Sequence, residues 1–153
     1  MTQHGFRRSR WSVALVLLLA GLVRPALADV TLRDAWVAEP PPGALSTAAF
    51  GVLTNDGPEI AELVAASSPA CERVEMHRTT HREGIAGMER LERITLAPGE
   101  TLRFEPGGAH WMLIRPRPLA PGDEVELTLE LADGSQVRLR LPVERRGAAP
   151  HHH

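Results

Sequence analysis

The stretch Glu124-Val125-Glu126-Leu127-Thr128-Leu129-Glu130-Leu131 alternates charged or polar with apolar residues, and Asp133-Gly134 follows as a tight-turn pair. The chain then returns through Val137, Leu139, Leu141 and Val143, with Arg138, Arg140 and Pro142 between. Period-two alternation on both sides of an Asp-Gly turn predicts a β-hairpin with one buried and one wet face. Working backwards from it, short apolar runs recur every 8 to 12 residues or so between Gly, Pro and Asp punctuation, the spacing of an all-β domain. Candidate strands are Val30 to Val37, Ala48 to Thr54, Ala61 to Ala66, Arg73 to Arg78, Met88 to Leu96, Thr101 to Phe104 and His110 to Arg115, besides the hairpin pair. The stretches Pro40-Pro41-Pro42-Gly43, Asn55-Asp56-Gly57-Pro58, Pro98-Gly99, Pro106-Gly107-Gly108 and Pro121-Gly122 supply the turns. The expected architecture is an all-β Greek-key β-sandwich or barrel.

The first residues read differently. Arg7, Arg8 and Arg10 precede an apolar run from Trp11 to Val23, too short to span a bilayer, and Ala26-Leu27-Ala28 supplies the small residues of a cleavage site. Residues 1–28 are expected to be a signal peptide cleaved after Ala28. Arg10 stands where a twin-arginine signal wants an apolar residue, so the general secretion route fits better. The only cysteine, Cys71, is far from that boundary, which reads against a lipoprotein. One cysteine also excludes an internal disulfide, so the exported domain must be held by its core. Residues 29–145 are expected to form that single domain, and 146–153 a flexible His-ended tail. The leader takes four of the 17 basic groups, leaving 13 against 19 acidic ones, about −6, which reads against nucleic acid as a partner.

Hydrolase signatures are missing: there is no Gly-x-Ser-x-Gly elbow, no His-Glu-x-x-His and no phosphate loop. Histidine and methionine stand out instead. Between leader and tail the histidines are His77, His81 and His110 and the methionines Met76, Met88 and Met112, all inside the segment from Met76 to Met112. His110 and Met112, two apart in a strand, leave the same face, while Trp111 points to the other and should anchor the strand in the core. His77 and Met88 flank a hairpin whose midpoint is expected at Arg82 and Glu83, so a symmetric register would set them opposite each other. Two imidazoles and two thioethers around one point suit Cu(I) better than Mg, Ca or structural Zn. Met76 is expected in the core, His81 exposed near the hairpin tip, Trp36 packed in the sandwich, and Cys71 a small buried thiol about 20 Å from His77.

The spacing His77, ten residues, Met88, twenty-one residues, His110, one residue, Met112 resembles the complete H-X10-M-X21-H-X-M motif of the PCuAC family of periplasmic copper chaperones. The similarity extends through Asp34-Ala35-Trp36, Val74-Glu75-Met76-His77, Pro106-Gly107-Gly108 and Leu119-Ala120-Pro121-Gly122-Asp123. It implies a cupredoxin-like β-sandwich that holds Cu(I) at His77, Met88, His110 and Met112. It further implies delivery to the binuclear copper centre of cytochrome c oxidase, alone or with a Sco-type thiol protein. A non-enzymatic, monomeric, periplasmic carrier without stable membrane insertion is expected. A blue-copper electron carrier and a noncatalytic β-sandwich module are the alternatives; the first lacks a cysteine near His110 and Met112. His151, His152 and His153, a native tail or a tag remnant, offer nitrogens suited to Cu(II).

Overall fold

The computed structural model describes residues 29–146; the expected leader, its cleavage site and the histidine tail lie outside the described residues. Ten strands follow one another: β1 (Val30–Ala38), β2 (Ser46–Asn55), β3 (Ala61–Ser67), β4 (Cys71–Arg82), β5 (Ile85–Arg90), β6 (Ile94–Leu96), β7 (Thr101–Phe104), β8 (Ala109–Pro116), β9 (Glu124–Leu131) and β10 (Gln136–Glu144). No helix occurs among the described residues, so the all-β expectation holds. The strands pair in the order β5-β4-β8-β7-β2-β1-β10-β9-β3-β6, with β8 also pairing β2. One hydrophobic cluster draws Met76, Trp111 and Leu113 from the β5-to-β1 half and Leu63, Leu127, Leu129 and Leu141 from the β10-to-β6 half. The two halves therefore close over a common core, with the parallel β1–β10 pairing as the join.

The β9–β10 hairpin forms as expected, with Leu127 opposite Leu139 and Val125 opposite Leu141. Leu127, Leu129 and Leu141 are wholly buried. The run expected as a single strand from Met88 to Leu96 instead divides. β5 pairs with β4 in one half, β6 pairs with β3 in the other, and Leu91 to Arg93 carry the chain across. The Leu91 amide donates to the Met76 carbonyl at 2.8 Å, and its side chain packs against the core. Leu91, half-buried against the core, thus sits where the chain leaves one sheet for the other.

Trp36 also departs from expectation. It is buried, but on the outer face of β1 and outside the common core, where it packs on Phe50 with ring centroids 4.8 Å apart. The cause is a bulge: the β1–β2 register shifts between Arg33 and Trp36, and Asp34 adopts φ 50°. One extra residue reverses the parity of everything after it, turning Val37 inward and Trp36 outward. Gly51 makes this possible, because a Cβ there would lie 2.8 Å from Leu32 Cδ1 and 3.1 Å from the Arg33 carbonyl oxygen.

The β4–β5 hairpin turns through Glu83 and Gly84, both left-handed at φ 53° and 78°, with Arg82 opposite Ile85. This is the backbone of a two-residue turn that favours Asn-Gly. A glutamate there carries a Cβ penalty that asparagine largely escapes, so Glu83→Asn should stabilise the protein by about 1 kcal/mol. A urea unfolding curve unchanged or shifted to lower midpoint would contradict that conformation.

Candidate metal centre

β4 lies between β5 and β8, and the registers set four positions on one outward face. His77 of β4 is the Cα partner of His110 on β8, and Glu75 that of Met112. On the other side His77 faces Arg90, and Met88 faces Thr79. The expected His77–Met88 pairing is thus off by two residues, because the chain turns at Glu83-Gly84 and not one residue earlier. A two-residue slip preserves parity, so Met88 remains on the His77 face as its diagonal neighbour. Met112 is the diagonal neighbour of His77 on the opposite side. Diagonal Cα positions lie roughly 7–8 Å apart, within reach of a long thioether side chain.

The imidazoles of His77 and His110 have centroids 5.8 Å apart, and Phe50 adjoins His110 at 6.5 Å. Phe50 in turn touches Trp36, over whose ring the Arg146 guanidinium sits at 4.3 Å. An aromatic row therefore walls one side of the histidine pair. Its signal was present only in the bulge that turns Trp36 outward. His110 is buried and His77 nearly so, Met112 is half-buried, and Met88 is 62% exposed. The face grades from a sheltered nitrogen pair to an exposed thioether on the edge strand.

The hydrogen bonds fix what each ring can offer. His110 Nδ1 donates to the Gly108 carbonyl at 3.2 Å, which leaves the Nε2 lone pair free for a ligand role. His77 Nε2 donates to Glu75 Oε2 at 2.9 Å, and its Nδ1 is buried with no protein partner. The other such atom among the described residues, Trp111 Nε1, is a donor on the core side and has no lone pair to give. A buried, unpaired imidazole acceptor beside a second imidazole and two thioethers fits a soft, low-charge metal ion. Among the described residues no group of three or more His, Cys, Asp and Glu side chains is arranged to hold a metal. Glu75 was missed in the sequence, although its spacing of two from His77 puts it on the same face of the strand.

The remaining candidates lie elsewhere. Met76 is buried in the common core and His81 is exposed opposite Ala86 near the hairpin tip, both as expected. Cys71 opens β4, opposite Pro116, six residues from His77 along an unbroken strand and therefore about 20 Å away. Burial pushes its thiol up, which keeps it protonated and a poor metal ligand at neutral pH. Trp111 turns into the core, as expected, stacked on Phe104 at 3.6 Å.

Burial lowers the His110 pKa, opposed by the Gly108 carbonyl and assisted by the neighbouring His77. Above about pH 6.5 the ring is neutral whether folded or unfolded. Below that, the unfolded chain takes up a proton that the folded ring resists, so stability falls with pH until folded His110 itself titrates. In the metal-free protein the urea midpoint should drop between about pH 7 and 5.5, and His110→Gln should flatten that drop. Equal slopes in the two proteins would assign the effect to another group.

Comparison with known proteins places the family and the fold. The family model described as "LpqE-like: Putative lipoprotein LpqE-like" matches residues 30–143. A protein of Leifsonia xyli subsp. xyli described as "Putative lipoprotein Lxx21020" is 34% identical over 117 residues, 75% of this chain and 69% of that one. Among solved structures, the solution structure of CuI-DR1885 from Deinococcus radiodurans aligns at TM-score 0.61 and 31% identity, over 84% of each chain. The copper-bound PCuAC domain from PmoF2 aligns at TM-score 0.64 and 20% identity, over 79% of this chain and 97% of that one, a likeness of fold. The chain belongs to the LpqE-like family, of the PCuAC type, and its fold is the cupredoxin-like β fold of the PCuAC domains.

Proposed function

We propose that this protein is an exported copper chaperone that binds Cu(I) through His77, Met88, His110 and Met112 and passes it to an acceptor. The observation that carries this reading is the buried, unpartnered His77 Nδ1, set beside His110 on the one face that also bears both thioethers. Similarity at 31% identity to a protein whose solution structure is of its CuI form supports it. Uncharged nitrogen and sulfur donors hold Cu(I) without thiolates, which an oxidising compartment would attack. Met88, exposed on an edge strand, is the ligand an acceptor can displace first.

The acceptor implied by the family resemblance is the binuclear copper centre of cytochrome c oxidase, reached directly or with a Sco-type thiol protein. Export to the periplasm rests on the basic and apolar leader and on the lipoprotein descriptions of the family and the Leifsonia relative. In this chain the only cysteine, Cys71, is part of β4. No helix among the described residues is long and apolar enough to cross a membrane. The histidines at 151–153 would form a separate nitrogen site for Cu(II).

Anaerobic Cu(I) titration with X-ray absorption tests the reading. One equivalent bound with both sulfur and nitrogen neighbours is expected. No stoichiometric binding, or a shell of nitrogen and oxygen alone, would overturn it.

A further inference from the structure

We infer that Glu75 is a positioning residue that selects which nitrogen of His77 faces the metal. The inference rests on the copper-binding reading above and names the donor atoms within it. Glu75 Oε2 accepts the hydrogen bond from His77 Nε2 at 2.9 Å, while the same ring's Nδ1 is buried without a partner. Only one tautomer suits both surroundings. With the proton on Nε2, the ring donates to a carboxylate and Nδ1 keeps a lone pair. With the proton on Nδ1, a buried N–H would have no acceptor, and the Nε2 lone pair would point at the Glu75 oxygen. A buried donor left without an acceptor is costly, so the first tautomer prevails.

Glu75 is itself held. Its second oxygen, Oε1, accepts from Arg73 Nε at 2.9 Å and lies 3.7 Å from Arg90 Nη1. These hydrogen bonds, from Arg73 first and then from His77, keep the carboxyl below the usual carboxylate range. Arg90 is the Cα partner of His77 on β5, the strand that carries Met88, so the carboxylate ties the histidine strand to the thioether strand. His110 is oriented by a different device, its Nδ1–H donating to the Gly108 carbonyl. The two histidines therefore present different atoms, Nδ1 from His77 and Nε2 from His110. A metal-ligating imidazole whose other nitrogen donates to a carboxylate is a recurrent arrangement that orients the ring and raises its basicity.

The test combines Glu75→Ala and Glu75→Gln with two readouts. Long-range 1H–15N correlation of the metal-free protein reports the His77 tautomer, and a Cu(I) competition assay reports affinity. Wild type should show the Nε2-protonated tautomer. Glu75→Gln keeps an acceptor for Nε2–H and should retain that tautomer, with Cu(I) affinity within a few fold. Glu75→Ala should give mixed tautomers and an affinity about 10- to 100-fold weaker. A wild-type His77 protonated on Nδ1, an alanine variant with unchanged tautomer and affinity, or equal losses in both variants would overturn the inference. If Glu75→Ala unfolds, the tautomer of wild type and of Glu75→Gln still decides the matter. Failure of wild type to bind Cu(I), with the tautomer as stated, would sink the chaperone reading and leave the orientation by Glu75 standing.

Discussion

Met88→Ala should lower Cu(I) affinity by at least about 10- to 100-fold, the loss typical of groups one shell further out, while leaving the unfolding curve of the metal-free protein unmoved. Met88 is 62% exposed on a strand whose six residues are all exposed, so its side chain contributes little to packing. Substitutions at such positions usually change stability by no more than about 0.5 kcal/mol. The expected separation of binding from stability distinguishes Met88 from Met112, which is half-buried between Glu75 and Ala48 on the neighbouring strands. Met88→Leu should behave like the alanine variant, since it keeps the shape and removes the sulfur. Ile85→Ala, on the same strand at 73% exposure, should change neither quantity. A Met88→Ala protein that binds Cu(I) as tightly as wild type in a competition assay would remove it from the ligand set.

What could be read in advance follows from where the chain writes a one-sided pattern. The β9–β10 hairpin was legible because Val125, Leu127, Leu129 and Leu131 all face the core, and a slip of one residue would expose all four. The His110–Trp111–Met112 strand was legible for the same reason, with Trp111 and Leu113 wholly buried on the opposite face. β5 writes no such pattern. All its residues are exposed, so burial does not specify register, and the Glu83-Gly84 turn alone sets it. The pairing of His77 with Arg90 was therefore hidden, while the shared face of His77 and Met88 survived because the error was an even number. The β1 bulge was hidden too, since it depends on Asp34 accepting a left-handed backbone opposite a glycine. That single residue decides that Trp36 faces the aromatic side of the site and not the core. Glu75 could be placed beside His77 by parity, but its bond to Nε2 requires side-chain geometry.

Trp111→Ala should cost about 3–5 kcal/mol of unfolding free energy, the usual range for removing a fully buried aromatic. Since a domain of this size holds roughly 5–15 kcal/mol in total, that is a large share of its stability. Trp111 is completely buried and stacked on Phe104, with centroids 3.6 Å apart and planes at 5°. Its backbone pairs with Met76 on β4 and Ala49 on β2, so the cavity would open beneath the middle of the ligand strand. Trp111→Phe should cost much less than its lost volume suggests, because it also removes a buried indole N–H that has no acceptor. Leaving such a donor unpaired costs about 1–3 kcal/mol, which the phenylalanine recovers. The pair of variants also separates support from ligation. The indole faces away from His110 and Met112, so Trp111→Phe should bind Cu(I) like wild type in the competition assay used for Met88. Urea unfolding supplies the stability axis. A phenylalanine variant of near-normal stability that has lost Cu(I) affinity would place the indole against the metal and reverse the assignment of faces on β8.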